Sequence, residues 1–67
     1  MDVLSSAKLK AAMLDSAIGV TALAKKAVLS PAIVSKLLKK DSAVRLPTVA
    51  KISRALGVDA EDLLKED

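Results

Sequence analysis

The chain has 67 residues, enough for one domain with one small hydrophobic core, so we expect a single domain over residues 1–67. It has no Cys, His or aromatic residue, which excludes disulfides and thiolate chemistry, removes the commonest metal ligand and general base, and argues against modules that stack single-stranded bases. The net charge is +3. We therefore expect no catalytic residue, no metal site, no cofactor and no small-molecule ligand.

The first part of the chain predicts two short helices. Ser5 or Ser6 is a suitable N-cap for the first, which should run to about Ser16 before Gly19 breaks it. In the second helix, apolar residues recur at the i, i+3, i+4 and i+7 spacing that gives one buried face. These residues are Val20, Leu23, Ala24 and Ala27.

The third helix has the clearest start signal. Ser30 can cap the first amides, and Pro31 at the first helical position gives up no useful donor. The helix should follow a break at residues 28–30 and run to about Lys40. Its inward face is predicted to carry Val34, Leu37 and Leu38, and its outward face Ala32, Lys36 and Lys39.

The last third of the chain predicts a loop and two more helices. Residues 41–45 are expected to form a polar loop, and residues 46–56 a fourth helix that ends at Gly57 in the left-handed conformation. Asp59 is the expected N-cap of a fifth helix. The predicted fold is all-α with five helices, the last of which should bury Leu63 and Leu64.

Basic residues are concentrated in the middle of the chain. Residues 25–54 contain eight basic side chains against the single acid Asp41, a net charge of +7, whereas residues 55–67 carry −4. Scattered lysines often serve only solubility. Their clustering in one segment favours a polyanionic partner.

Residues 19–40 predict a helix-turn-helix, because two short helices are joined by a three-residue turn and the second has a small, then cationic, outward face. Compact side chains in its first turn would approach base edges, and a long donor would reach guanine. The candidate base-contacting residues are Pro31, Ala32, Ile33, Ser35 and Lys36. Candidate phosphate contacts at the helix ends and in the following loop are Ser30, Lys39, Lys40 and Arg45.

Several short runs match the sequence pattern of a known family, and they match it without a gap: Leu-Ala-Lys-Lys-Ala at 23–27, Leu-Ser at 29–30, Val-Ser-Lys-Leu at 34–37, Lys-Ile at 51–52 and Arg-Ala-Leu-Gly-Val-Asp at 54–59. With them, the stretch from Leu9 to Leu64 resembles the lambda-repressor-like Cro-type helix-turn-helix regulators, also called the xenobiotic-response-element family. The resemblance implies a five-helix bundle that binds double-stranded operator DNA, commonly as a homodimer on a near-palindrome, and usually represses transcription. It places the base-contacting positions on Pro31, Ala32 and Lys36.

The chain departs from the pattern of this family at several positions. Val20 stands where the family usually has a phosphate-contacting Gln, so Val20 and the neighbouring Thr21 become the candidate phosphate contacts there; Gly19 replaces the usual Ser or Thr cap. Val28 replaces the usual Gly of the turn. A β-branched residue resists positive φ, so the turn is either strained or differently shaped. Leu38 and Lys40 replace an acid and a Gly, which favours a longer third helix.

The sequence therefore predicts a sequence-specific DNA-binding transcriptional regulator, either a phage or mobile-element-type repressor or an antitoxin-like autorepressor, acting as a homodimer and not as an enzyme. No stretch approaches the ~20 apolar residues that cross a bilayer, so we expect no membrane partner and a cytoplasmic location. The alternative is a helical protein-interaction module that has lost DNA binding. Val20 and Val28 favour that alternative.

Overall fold

A computed structural model describes residues 2–65. These residues form four α-helices, a two-stranded sheet and a final turn of 3-10 helix. In chain order the elements are β1 (Asp2–Leu4), α1 (Ser6–Asp15), α2 (Val20–Ala27), α3 (Pro31–Lys39), β2 (Ser42–Val44), α4 (Leu46–Leu56) and the 3-10 helix (Ala60–Asp62).

The helix boundaries follow the local start and stop signals. Ser5 caps α1 by accepting a hydrogen bond at its side chain from the Lys8 amide at 3.3 Å. The observed α1 ends one residue before the predicted Ser16. The prediction for α4 is confirmed at both ends, since the helix spans residues 46–56 and Gly57 follows with a φ of 71°.

One hydrophobic core joins all four helices. The α2 helix packs against both α3 and α4, and α1 packs against α3. The predicted apolar faces are confirmed in outline, although Val20 and Leu38 are only partly buried at the edge of the core. The largest fully buried side chains are Leu4, Leu9, Leu23, Val34, Val49, Ile52 and Leu63.

The expected all-α class is wrong, because part of the predicted loop at residues 41–45 is a strand. β2 pairs antiparallel with β1, with Leu4 opposite Ser42. Two three-residue strands are too short to show a periodic pattern, and their pairing joins segments that lie far apart in the sequence. The fully buried Leu4 anchors this sheet on the core.

The expected fifth helix is also wrong, since residues 60–62 form only one turn of 3-10 helix. Asp59 occupies the predicted cap position, but its side chain makes no capping hydrogen bond. The following residues instead pair with the start of the chain: the Lys65 amide donates to the Val3 carbonyl and the Ser5 amide to the Leu63 carbonyl, both at 2.8 Å. These bonds hold the backbone in an extended path that competes with further helix.

Candidate nucleic-acid interface

The helix-turn-helix geometry is present where the sequence predicts it. α2 and α3 are separated by the three residues 28–30 and pack against each other. Ser30 caps α3 as expected, because its hydroxyl accepts from the Ile33 amide at 3.3 Å. Gly19 begins α2 without any side-chain cap. The first amides of α2 are therefore left without a side-chain partner.

The turn between α2 and α3 keeps the left-handed backbone conformation even though a valine occupies it. Val28 has φ 56° and ψ 50°. Two backbone hydrogen bonds close the helix: the Val28 amide donates to the Lys25 carbonyl at 3.3 Å, and the Leu29 amide donates to the Ala24 carbonyl at 2.8 Å. Of the two alternatives that the sequence left open, the turn is thus of the usual shape and is strained.

The candidate base-contacting residues all lie on the solvent side of α3. Val34 and Leu37, at 0% and 4% exposure, define its buried side. At 100° per residue, the centre of the opposite side carries Ala32, Ser35, Lys36 and Lys39. Pro31 and Ile33 lie at its two edges, with Ile33 44% exposed. One surface, which we call the outward face of α3, therefore combines small side chains near its start with two lysines near its end.

Most of the candidate phosphate-contacting residues are exposed at or next to the ends of helices. Ser30 lies at the start of α3, Lys39 and Lys40 at its end, and Arg45 just before α4; all four are exposed. Thr21 is exposed at the start of α2.

Val20 is the exception among these candidates, because its side chain packs against the core and has no polar atom. Any contact from Val20 to an anion must use its backbone amide, at the start of α2.

The one acid of the basic segment is turned towards α1. Asp41 accepts hydrogen bonds from the Ser6 amide at 2.9 Å and the Ser6 hydroxyl at 3.1 Å, and it forms an ion pair with Lys65 at 3.2 Å. The hydrogen bond from the Ser6 amide and the interaction with Lys65 lower the pKa of Asp41 below its ordinary value. Asp41 thus caps α1 from 35 residues away and does not pair with the α3 lysines. Sequence reasoning missed this contact because no local pattern marks it.

A second group of cations lies between α2 and α4 and was not predicted. Lys26, Lys51 and Arg54 surround Ala27 and Val28 in an open cleft of about 220 Å³. Lys51 and Arg54 are both exposed, on the outward side of α4. Their approach to Lys26 depends on how α2 and α4 pack.

Residues 2–65 contain neither a cluster suited to a metal ion nor a helix suited to a bilayer. No group of acidic side chains in this part of the chain has the arrangement to hold a metal ion. None of its helices has the length and apolar character of a bilayer-spanning segment.

Comparisons with known proteins support the sequence resemblance. A family model described as a Cro/C1-type HTH DNA-binding domain matches residues 8–66. Among solved structures, the chain is similar to Streptomyces albus HEPD, determined with the substrate 2-hydroxyethylphosphonate and Fe(II) bound, with a TM-score of 0.83 and 29% identity. The match covers 88% of this chain but only 13% of that one. No curated protein matches the chain.

Proposed function

The chain belongs to the Cro/C1-type helix-turn-helix DNA-binding domains, and we propose from this premise that it is a sequence-specific regulator that reads double-stranded DNA with α3. The observation that carries the proposal is the outward face of α3, which is exposed, free of acid and small at its start. The single acid of the basic segment, Asp41, is held at α1. The field in front of α3 is therefore cationic and suits a polyanion.

The start of α3 is proposed to enter the major groove. Pro31 and Ala32 are small enough to let the backbone approach the base edges, and the methyl groups of Ala32 and Ile33 suit the methyl group of thymine. Lys36 lies one turn further along the same surface and is long enough to donate to the O6 and N7 atoms of guanine. Ser35 adds a short donor and acceptor between them.

The flanking residues are proposed to fix the helix against the two phosphate backbones. Lys39 and Lys40 supply charge at the end of α3 and Arg45 supplies charge just before α4, whereas Ser30 and Thr21 supply hydroxyl groups near the helix starts. Such contacts set the register of the protein on the duplex and make binding depend on salt, because they release bound counterions.

The proposal extends to assembly and biological role. One such domain reads one half-site, so a two-fold homodimer would read a near-palindromic operator with half-sites one helical turn apart. Occupation of an operator by such a dimer suits a repressor of the phage or mobile-element type, or an antitoxin-like autorepressor. In this role the protein acts in the cytoplasm, without a cofactor and without enzymatic activity.

The direct test combines selection of duplexes from a random library with binding of variants to the selected duplex. Lys36→Ala should weaken binding by about 1–3 kcal/mol, roughly 5- to 150-fold, and relax the preference at one base position. Lys39→Ala should weaken binding to all duplexes and reduce the slope of log affinity against log salt by about 1. Affinities are read from fluorescence anisotropy over a range of salt concentrations.

The matched control removes a similar exposed charge from the outward side of α1, as Lys10→Ala. This variant should bind the selected duplex like the unaltered chain. Failure to select any duplex, a flat dependence on salt, or equal losses for Lys10→Ala and Lys36→Ala would each contradict the proposal.

A protein-interaction module without DNA binding is the second candidate. Two observations favour it: the fold also occurs as 13% of the HEPD chain, and Val20 offers no polar side chain to a phosphate. An interaction module would be indifferent to both lysine substitutions in the duplex assay, so the same experiment separates the two candidates.

A further inference from the structure

The cleft between α2 and α4 is a second cationic surface, separate from the outward face of α3. α2 packs against α3 on one side and against α4 on another, and the cleft opens along the second of these contacts. Lys26 comes from the last turn of α2, whereas Lys51 and Arg54 are three residues apart on the outward side of α4. The residues proposed to read DNA do not line this cleft.

The wall of this cleft includes an apolar side chain that the fold itself does not use. Val28 is 80% exposed and adopts the left-handed conformation. Glycine would close the same turn without strain and without exposing methyl groups. Packing within residues 2–65 does not account for the valine, and a residue that breaks a local rule without an internal gain points to a role outside the chain.

The cations around Val28 lack acidic partners in the part of the chain that the structure describes. Asp41 pairs with Lys65, and neither residue lines the cleft. The residues that line the cleft include no acid. The surface therefore presents three positive charges around the side chains of Ala27 and Val28, in a concave space of about 220 Å³. That volume suits a few side chains.

We propose that this cleft binds an acidic peptide segment of a partner protein, in which an apolar side chain is flanked by carboxylates. The apolar side chain would cover Val28, while the carboxylates would pair with Lys26, Lys51 and the planar guanidinium of Arg54. The three cations favour an anionic partner, and Val28 favours an anion that also carries an apolar side chain. A phosphodiester backbone would satisfy the cations but would leave the valine uncovered.

The first experiment is a titration of the 15N-labelled chain with two synthetic peptides, Glu-Asp-Leu-Asp-Glu and Glu-Asp-Gly-Asp-Glu, followed by amide chemical shifts. The leucine peptide should shift the amides of residues 26–29 and 51–54 and should bind at least about threefold more tightly than the glycine peptide, since burying even part of a leucine is worth that much.

The second experiment repeats the titration with variants of the cleft. Val28→Gly should reduce the affinity for the leucine peptide to that for the glycine peptide, and Lys26→Glu should weaken binding of both peptides by about threefold or more. Lys25→Glu is the matched control, because it makes the same charge change at the neighbouring exposed position of α2, outside the cleft. It should leave the shifts in the cleft in place. Thermal unfolding verifies that each variant is folded.

Four outcomes would overturn the inference. They are no shift at millimolar peptide, shifts centred on Lys36 and Lys39, equal affinity for the two peptides, and equal losses for Lys25→Glu and Lys26→Glu. Two further titrations test other occupants. If a short DNA duplex shifts the amides of the cleft, the cleft binds nucleic acid. If the shifts of these amides change with protein concentration in the absence of peptide, the cleft binds a second copy of the chain; either result also overturns the proposal.

Discussion

The α2 and α4 helices end in the same turn, but α2 closes it with Val28 and α4 with Gly57. In each, the second amide beyond the helix donates to the carbonyl five residues earlier, at 2.8 Å in α2 and 3.0 Å in α4. In each, the residue that follows, Leu29 or Val58, packs against the core. The two turns show that the left-handed residue does not decide the backbone path. The amide bonds and the apolar residue that follows decide it.

The end of α1 extends the comparison. Ala17 has a φ of 53°, and the Ile18 amide donates to the Met13 carbonyl at 3.0 Å. The same turn is therefore closed by glycine, alanine and valine at three places in one small domain. Because the strain rises in that order, the three turns form a natural series that compares three left-handed residues in the same pattern of backbone hydrogen bonds.

The largest expected effect comes from giving α4 the residue that α2 has. Nothing lies within 4 Å of a Cβ built on Gly57, where φ is 71°, so Gly57→Val should act mainly through backbone strain. We expect a loss of about 1–2 kcal/mol in the free energy of unfolding, which lowers Tm by roughly 4–8 °C per kcal/mol in a domain of this size. Gly19→Val, at an ordinary φ of −87°, is the control and should lose less. Equal losses would contradict the argument from strain.

The reverse substitution, Val28→Gly, should stabilise the chain. Relief of the left-handed strain outweighs the greater freedom of glycine in the unfolded state, and the balance is about 1 kcal/mol or less. Ala17→Gly, in the same conformation without the β-branch, should gain less still. Denaturant unfolding of the two variants measures both changes. A loss of stability in Val28→Gly would show that the valine packs within the domain, which would also remove the basis for the peptide-binding cleft.

The smallest expected effect concerns how helices begin, because one helix is capped by an adjacent residue and another by a residue distant in sequence. α3 is capped by the adjacent Ser30, whereas the first amide of α1 is bound by Asp41. The lowered pKa of Asp41 means that its stabilising contribution is present above the ordinary pKa of a carboxyl group and is lost as pH falls through the lower, folded-state value.

Asp41→Asn should therefore be less stable than the unaltered chain at neutral pH; the difference should start to shrink below about pH 4, the ordinary pKa of a carboxyl group, and should disappear below the lower pKa of the folded state. Thermal unfolding at several pH values measures this difference. Asp59→Asn controls for net charge, because the Asp59 side chain makes no capping bond. A difference between Asp41→Asn and the unaltered chain that persists in strong acid would contradict the assigned cause.

Sequence reasoning found the helices because their signals are local. The Ser-Pro and Leu-Pro pairs and Gly57 each act within one turn, and α3 and α4 begin and end within a residue of the predicted positions. It missed the sheet because β1 pairs with a segment about 40 residues away, and it missed the 3-10 turn because residues 63–65 pair with the start of the chain. Pairing of this kind leaves no pattern in either segment alone.

The same distinction holds for the two surfaces. The outward face of α3 follows from helical periodicity and could be predicted residue by residue, although the contacts assigned to it remain predictions. The cleft around Val28 could not be predicted, because Lys26 reaches Lys51 and Arg54 only when α2 packs on α4. The one sequence feature that marked the place was a valine where the family usually has glycine.

The pairing of β1 with residues 64 and 65 brings the two extremities of the fold side by side. The Lys65 amide binds the Val3 carbonyl at 2.8 Å, and Leu4 bridges to Leu64. A polypeptide thus enters and leaves at one edge, an arrangement that tolerates insertion into a host protein or circular permutation. Joining residue 65 to residue 2 by a short linker and opening the chain between α1 and α2 should give a permuted domain whose α2–α3 unit is unchanged.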